Sequence, residues 1–315
     1  MRRLATLFKE TASDWMDDKA MRLAAALAFY TLLSLAPLLI LAVSIAGLAF
    51  GEEAARGEIT GQLQSLLGVQ GAEAVQSVLA NAKTPSSGVL GTVIGLAIAL
   101  FGASGVFGEL QDSLNIVWEV QPKPGRGIKG FLRDRFFSFT LVLGVGFMLL
   151  VSLVLTAGLS AAGEVFSSSL PGGELLWQIA NFVISFGVIT VLFALIFKVV
   201  PDVKIAWKDV WVGSIATAAL FTLGKFLIGL YLGHSSVGSP FGAAGSVVVL
   251  VVWVYYSAQI LFFGAELTQV YARMHGSRLE PTKNAVPITD EARAQMGIGS
   301  TNANDLAPAG AKRVR

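Results

Sequence analysis

The chain has 315 residues, of which 54% are hydrophobic and 14% charged, with a formal net charge of +2. An ordinary soluble domain carries about 25% charged residues, so this composition excludes a disordered chain and argues against a soluble enzyme. There is no Cys, and the two His, His234 and His275, lie far apart. Disulfides, thiolate metal sites and a Cys nucleophile are therefore excluded, and His-based chemistry has almost no material.

The first 21 residues are charged, with Leu4, Leu7, Phe8, Trp15 and Met16 at helical spacing. They predict a short cytoplasmic lead-in helix, 1–21, lying on the membrane surface, with Asp14, Asp17 and Asp18 on its solvated face. The apolar run that follows is far longer than the roughly 7–15-residue core of a secretory signal, so a cleaved leader is not expected.

A hydrocarbon core about 30 Å thick takes about 20 helical residues to cross. Six runs meet that length, at about 22–50, 88–108, 136–162, 177–198, 210–233 and 243–271. None alternates over short segments, which excludes a β-barrel. The predicted fold is all-α: a polytopic membrane protein with six transmembrane helices forming one domain over 22–272. The helix of span 2 continues to about 119. The one long loop, 51–87, carries Ile59, Leu63, Leu66 and Leu67, then Val75, Val78 and Leu79, which predicts two short amphipathic helices on the outer surface. They serve either as a cap over a cavity or as a structural lid. The tail 273–315 has no periodicity and is expected to be disordered and cytoplasmic.

Orientation follows from Lys and Arg, which accumulate in cytoplasmic loops. Five lie in 1–22, five in 120–135, three in 198–209 and seven in 272–315, against two in 51–87 and none in 163–176 or 234–242. Both termini are therefore placed in the cytoplasm. The same asymmetry accounts for the basic residues without invoking nucleic acid, which is not expected as a partner.

Glycine is frequent, 34 residues, and several fall at helix-packing spacing: Gly91 with Gly95, Ser104 with Gly108, and Gly229 with Gly233. Dense packing explains them, and the spacing permits a homo-oligomer. The three-span halves do not align as a repeat, although spans 2 and 6 each place a Glu late in an apolar helix.

Ionisable residues inside spans are costly and mark function by default. Glu109 and Asp112 lie one turn apart on span 2, Glu266 lies towards the cytoplasmic end of span 6, and Lys225 lies about 24 Å along span 5 from Asp209. The depth of Lys225 argues against its pairing with Glu266. The expected partners of Glu266 or Glu109 are Arg22 or backbone amides at a broken helix. Tyr30, Gln111, Asn115, Tyr256, Gln259 and Gln269 add polar groups, and Pro37 removes a backbone donor inside span 1, as at a hinge; Ser34 is close enough to help satisfy the backbone there. Together these predict a polar pocket among spans 1, 2 and 6, open to the cytoplasm and lined by Glu109, Asp112, Glu266, Tyr30, Asn115, Gln259 and Arg22, with Lys225 further out. Interfacial snorkelling is the plain alternative. Hydrolase, nucleotide-binding and zinc motifs are absent, so no catalytic residue, metal site or cofactor is expected.

Three stretches carry a resemblance: AALAFYTLLSLAPLL at 25–39, FGASGVFGELQDSLNIVWEV at 101–120, and SPFGAAGSVVVLVVWVYYSAQILFFGAELTQVYA at 239–272, with PDVKIAWKDVWVG at 201–213 between the last two. The chain resembles the YihY / virulence factor BrkB family of bacterial inner-membrane proteins over about residues 10–275. Tyr30, Pro37, Glu109, Asn115, Trp118, Pro201, Asp202, Gly242, Trp253, Gly264 and Glu266 match its pattern, while Phe241 stands where Tyr is common. The resemblance implies a six-helix inner-membrane protein of the cell envelope. An older family name, ribonuclease BN, finds no nuclease centre in these residues. Links of some members to envelope biogenesis imply the handling of lipids or other amphiphiles. Two functions follow as expectations: translocation of a lipid-like or amphiphilic substrate, with membrane lipids as partners, or a non-transporting scaffold that recruits an envelope protein.

Overall fold

The structure, a computed structural model, describes residues 2–51, 72–77, 105–124, 173–234, 245–275 and 279–298, together with 57, 61 and 64. Span 3, most of span 2 and of the loop 51–87, the loops at 125–172 and 235–244, and the tail 299–315 lie outside the described residues.

Ala- and Leu-rich sequence, with its high helix propensity, gives long helices. The first two are α1 (Arg2–Asp17) and α2 (Ala20–Phe50). Then come α3 (105–117), α4 (Gly173–Val199), α5 (Trp207–His234) and α6 (Gly245–Met274). Three stretches are long and apolar enough to cross a membrane, Gln178–Val199, Trp207–Tyr231 and Val247–Met274. Only about a third of each is buried within the chain (28%, 33% and 28% of the most apolar window). Outward residues such as Phe182, Leu223 and Phe226 are large, apolar and exposed. A soluble protein does not leave such continuous apolar surface uncovered.

α6 is the central helix, in contact with α1, α2 and α5, while α5 also packs on α4. The α5–α6 contact is built from two reciprocal Gly/Thr pairs. A Cβ added at Gly213 would lie 1.8 Å from Thr268 Oγ1, and one added at Gly264 would lie 2.0 Å from Thr217 Oγ1. Each Thr hydroxyl donates back along its own helix, Thr217 Oγ1 to Gly213 O and Thr268 Oγ1 to Gly264 O, both at 2.7 Å. Each glycine thus admits the other helix's threonine, and neither threonine hydroxyl is left unsatisfied. The glycines that set helix packing here are Gly213, Gly264 and Gly224, which faces Tyr256 and Ile260. Gly229, expected to pack, meets nothing within 4 Å. Spacing shows where small residues recur, but only the neighbouring helix decides which of them it touches.

α2 runs through Pro37 without interruption. The hydroxyls above it are used locally, Ser34 Oγ donating to Thr31 O at 3.1 Å and Thr31 Oγ1 to Leu27 O at 2.7 Å. A helical stretch at 72–77 lies against α2 and α6, with Ala74 and Val75 packed on Leu39 and Leu250. It falls within the first loop, where the second amphipathic piece was expected at Val75, Val78 and Leu79; Val78 and Leu79 lie outside the described residues.

The chain is mostly helical, as expected, but the segment 279–298, expected as part of a disordered tail, is ordered. This segment forms β3 (Glu280–Pro281), β4 (Ala285–Pro287) and α7 (Asp290–Gln295). β4 pairs antiparallel with β1 (Val120–Pro122), which follows α3, placing Val120 opposite Pro287. β3 pairs antiparallel with β2 (Val203–Lys204), which lies between α4 and α5. Backbone bonds extend both ladders, Lys123 N to Asn284 O, Thr282 N to Asp202 O and Ile288 N to Glu119 O, each 2.9 Å. α7 is capped by Thr289, whose Oγ1 accepts from Ala292 N at 3.2 Å, as its Ser/Thr-type N-cap requires. Strands of two and three residues carry no readable periodicity. Their partners lie more than 70 residues away in sequence, and this is why local pattern missed them.

The result is a strap across one end of the bundle. Beneath it Trp118, Val120, Val200, Val203, Ile205 and Ala285 join the same buried core as α2, α4, α5 and α6. Basic residues of four segments reach this end: Lys19 in the α1–α2 turn, Lys123 after α3, Lys204 in the α4–α5 connection, and Lys283 and Arg293 in the strap.

Candidate functional site

Under the strap, four elements bring charged side chains together. α1 supplies Asp14 and Asp18, the end of α3 supplies Glu119, α6 supplies Glu266 and Arg273, and α7 supplies Arg293. Arg273 Nη2 donates to Asp14 Oδ2 at 2.6 Å. Arg293 Nη2 donates to Asp18 Oδ1 at 2.7 Å, both side chains being buried, and Arg293 Nη1 lies 3.8 Å from Glu119 Oε1. Four carboxyl groups thus face two guanidiniums.

Local backbone makes this convergence possible. α1 ends with Lys19 in the left-handed region, φ 55°, and α3 ends likewise at Glu119, φ 55°. Such a conformation costs a residue with a Cβ about 1–2 kcal/mol. Glu119 is held there by tertiary contacts. Ile288 N donates to Glu119 O, and Glu119 itself faces Arg293. Arg22 Nη1 and Nη2 both donate to Met296 O at 3.1 Å, tying the start of α2 to the end of the strap.

Glu266 is the deepest member. It is fully buried, and neither carboxyl oxygen accepts a hydrogen bond from the described residues. The charges that act on it are those of Asp18, Asp14, Glu119 and Arg273. One turn on, Gln269 Oε1 is also buried without a donor, and so are the indole N–H groups of Trp15 and Trp118, which flank Asp14 and Glu119 in sequence. Buried polar atoms are ordinarily paired; these groups depart from that rule, as do Asp209, Ser214 and Trp253 elsewhere among the described residues. Burial pushes the Asp18 carboxyl up to about 6, although Arg293 acts against the rise.

The sequence expectations divide here. Glu266 is as buried as expected, but its neighbours are different. Arg22 serves a backbone carbonyl instead of a carboxylate. Glu109 is half-buried, and the charge acting on it is that of Asp112 on the next turn; Asp112 is exposed. Glu109 and Glu266 are therefore not joined in one group. Asn115 is buried and structural: Asn115 Nδ2 and Gln111 Nε2 donate to Asp202 Oδ2, each at 3.2 Å, and Asp202 N donates to Asn115 Oδ1 at 2.7 Å. Tyr30 is half-exposed with its ring against Gly105, Gln259 is half-buried, and Lys225 is half-buried on α5.

Asp14 and Asp18 were expected on a solvated face and are instead ion-paired, Asp18 being buried. α1 does not simply lie flat: Leu7, Thr11 and Asp18 are buried while Leu4, Phe8 and Met16 are exposed. Charge on a short helix reads as solvated when its partners, Arg273 and Arg293, are more than 250 residues away. The helical register of 7, 11, 14 and 18 on one face was the available signal. Among the described residues no three acidic or His side chains are grouped to hold a metal ion.

The chain is similar to known bacterial proteins. The sequence profile of the family described as Virulence factor BrkB matches residues 11–289. The UPF0761 membrane protein of Pseudomonas aeruginosa (strain LESB58) is 27% identical over 267 residues, covering 81% of this chain and 60% of that protein. One from Acinetobacter baylyi is 23% identical over 274 residues, covering 87% of this chain and 64% of that protein. One from Tolumonas auensis is 30% identical over 193 residues, covering 59% and 57%. This chain spans about 60% of the length of the first of these relatives. No solved structure matches it. With a family match over most of its length and helices of membrane-crossing length, this chain is a membrane protein and belongs to the virulence factor BrkB family.

Proposed function

We propose that the chain is a six-span inner-membrane protein, with both termini in the cytoplasm, that translocates a lipid-like or amphiphilic substrate, and that Glu266 is its proton-linked group. The observation that carries this reading is Glu266 itself, a fully buried acid in a membrane-length helix with no hydrogen-bond donor among the described residues. Such a group is expensive to keep and is retained for transport or proton relay more readily than for packing. Its surroundings support the same reading: excess carboxylate, two arginines whose pairings would respond to a change of one charge, and unused polar atoms on three elements. The cytoplasmic assignment rests on the Lys and Arg distribution. The basic segments also gather at one end of the bundle.

The test is translocation in liposomes. Labelled phospholipid is followed inward and outward, with and without a pH gradient, for the wild type and Glu266→Gln. The expected result is movement that responds to the gradient in the wild type and loses that response in Glu266→Gln, with both proteins helical and monodisperse. Wild-type protein that is folded but moves no lipid, or Glu266→Gln that matches it, overturns the reading. The first outcome would favour a scaffold.

A further inference from the structure

The start of α5 carries a second feature, unconnected with Glu266. Trp207 and Trp211 are one turn apart and 48% and 42% exposed, with ring centroids 6.5 Å apart. The same outward side of the helix continues through Ile215, Leu223, Phe226 and Leu230, all apolar and exposed. A face of this kind within a membrane-length helix meets hydrocarbon, and a Trp pair at its end marks the level where hydrocarbon gives way to headgroups.

Three lysines surround that level. Lys198 Nζ lies 5.5 Å from the Trp207 ring centroid and donates to Ile205 O. Lys208 is exposed on the turn between the two Trp. Lys204 is exposed on β2 and its contact with Glu280, 3.4 Å between two exposed groups, is of the kind worth little. Of the nearby acids, Asp209 is buried and Asp202 is held by Asn115 and Gln111, while exposed Glu280 offsets one of the three lysines. The outward charge is therefore positive. A cation in the first turn of a helix also opposes the helix dipole, so Lys208 is misplaced for helix stability and well placed for an external anion.

We propose that this rim, Trp207 and Trp211 with Lys198, Lys204 and Lys208, binds the headgroup of an anionic phospholipid. The indoles lie against the glycerol and upper acyl region, and the ammonium groups take the phosphate. Zwitterionic lipid offers the same acyl surface without net charge, so headgroup selectivity separates a binding site from an ordinary aromatic belt.

The experiment uses the full chain in phosphatidylcholine vesicles containing a small fraction of lipid brominated near the glycerol end of its acyl chain, either phosphatidylglycerol or phosphatidylcholine. Tryptophan fluorescence of the wild type is compared with W207F/W211F, which isolates the contribution of the pair. A lysine at an anionic surface is worth about 1 kcal/mol, or about fivefold in local lipid concentration. Brominated phosphatidylglycerol should thus quench the pair at a mole fraction about fivefold or more below that of brominated phosphatidylcholine, and K204Q/K208Q should bring the two lipids to parity. If the double variant does not fold, K208Q alone, at an exposed position, should lower the preference by about fivefold. Equal quenching by both lipids in the wild type, no quenching by either, or a preference that survives neutralisation of the lysines overturns the proposal. None of these outcomes depends on whether the protein moves a substrate.

Discussion

Replacing Gly213 with Ala tests the α5–α6 contact directly. The new methyl carbon would lie 1.8 Å from Thr268 Oγ1, 2.7 Å from its Cβ and 2.9 Å from its Cγ2. Rotating Thr268 moves the oxygen and the methyl but not Cβ, so the helices must part by ~1 Å, and contacts along the seam weaken. The expected loss is about 1–3 kcal/mol, as for other overpacked positions. Thr268→Ala removes two of the three close contacts and leaves the one at 2.7 Å, so G213A/T268A should recover part of the loss, with a coupling of about 1 kcal/mol. Gly264→Ala should behave alike through Thr217, whose Oγ1 and Cβ lie 2.0 and 2.8 Å from the added carbon. Gly229→Ala is the control: nothing lies within 4 Å of its added carbon, and Ala is the better helix former by about 1 kcal/mol. The assay is denaturation of the detergent-solubilised protein, followed by circular dichroism. Gly213→Ala as stable as the wild type, or Gly229→Ala as damaging as Gly213→Ala, would refute the reciprocal-pair account.

The strap gives three further expectations. Arg293→Gln leaves Asp18 buried without its cation, a change that typically costs about 3–5 kcal/mol; hydrogen exchange should show the amides of 285–298 released in advance of α6. Asp18 has its folded-state value raised from 3.8 to about 6, so the folded chain binds the proton more tightly than the unfolded one. The stability this gives is complete below pH 3.8 and is lost as pH rises through about 6. The pH dependence of unfolding in that window should therefore flatten in Asp18→Asn, and an unchanged profile would contradict the burial of this group. Asn115→Ala strips Asp202 of two of its three hydrogen-bond contacts with α3 and should cost about 1–3 kcal/mol. Protease susceptibility at 200–206 would report the freed connection, whereas Gln111→Ala, which removes one bond, should do less.

The sequence by itself determined the environment of this chain. Long apolar runs, few charges and one-sided basic loops are properties of composition and order, and the bilayer selects for them one segment at a time. That is why α4, α5 and α6 fall within a few residues of the runs predicted at 177–198, 210–233 and 243–271. The burial of Glu266 was legible for the same reason, since an acid inside a membrane-length helix has few places to go. Contacts between distant segments were not legible. Asp18 meets an arginine 275 residues away and Asp14 one 259 residues away, and nothing in the local pattern of α1 distinguishes those carboxylates from solvated ones. The two short ladders bind single turns of chain to the strap, too briefly to show a period of two. Gly213 and Gly264 look like Gly229 until the opposing helix puts a threonine against each. Local hydropathy decides which segments enter the membrane. Tertiary structure decides which small residue is touched and which charge is paired, because both depend on the neighbour that folding brings.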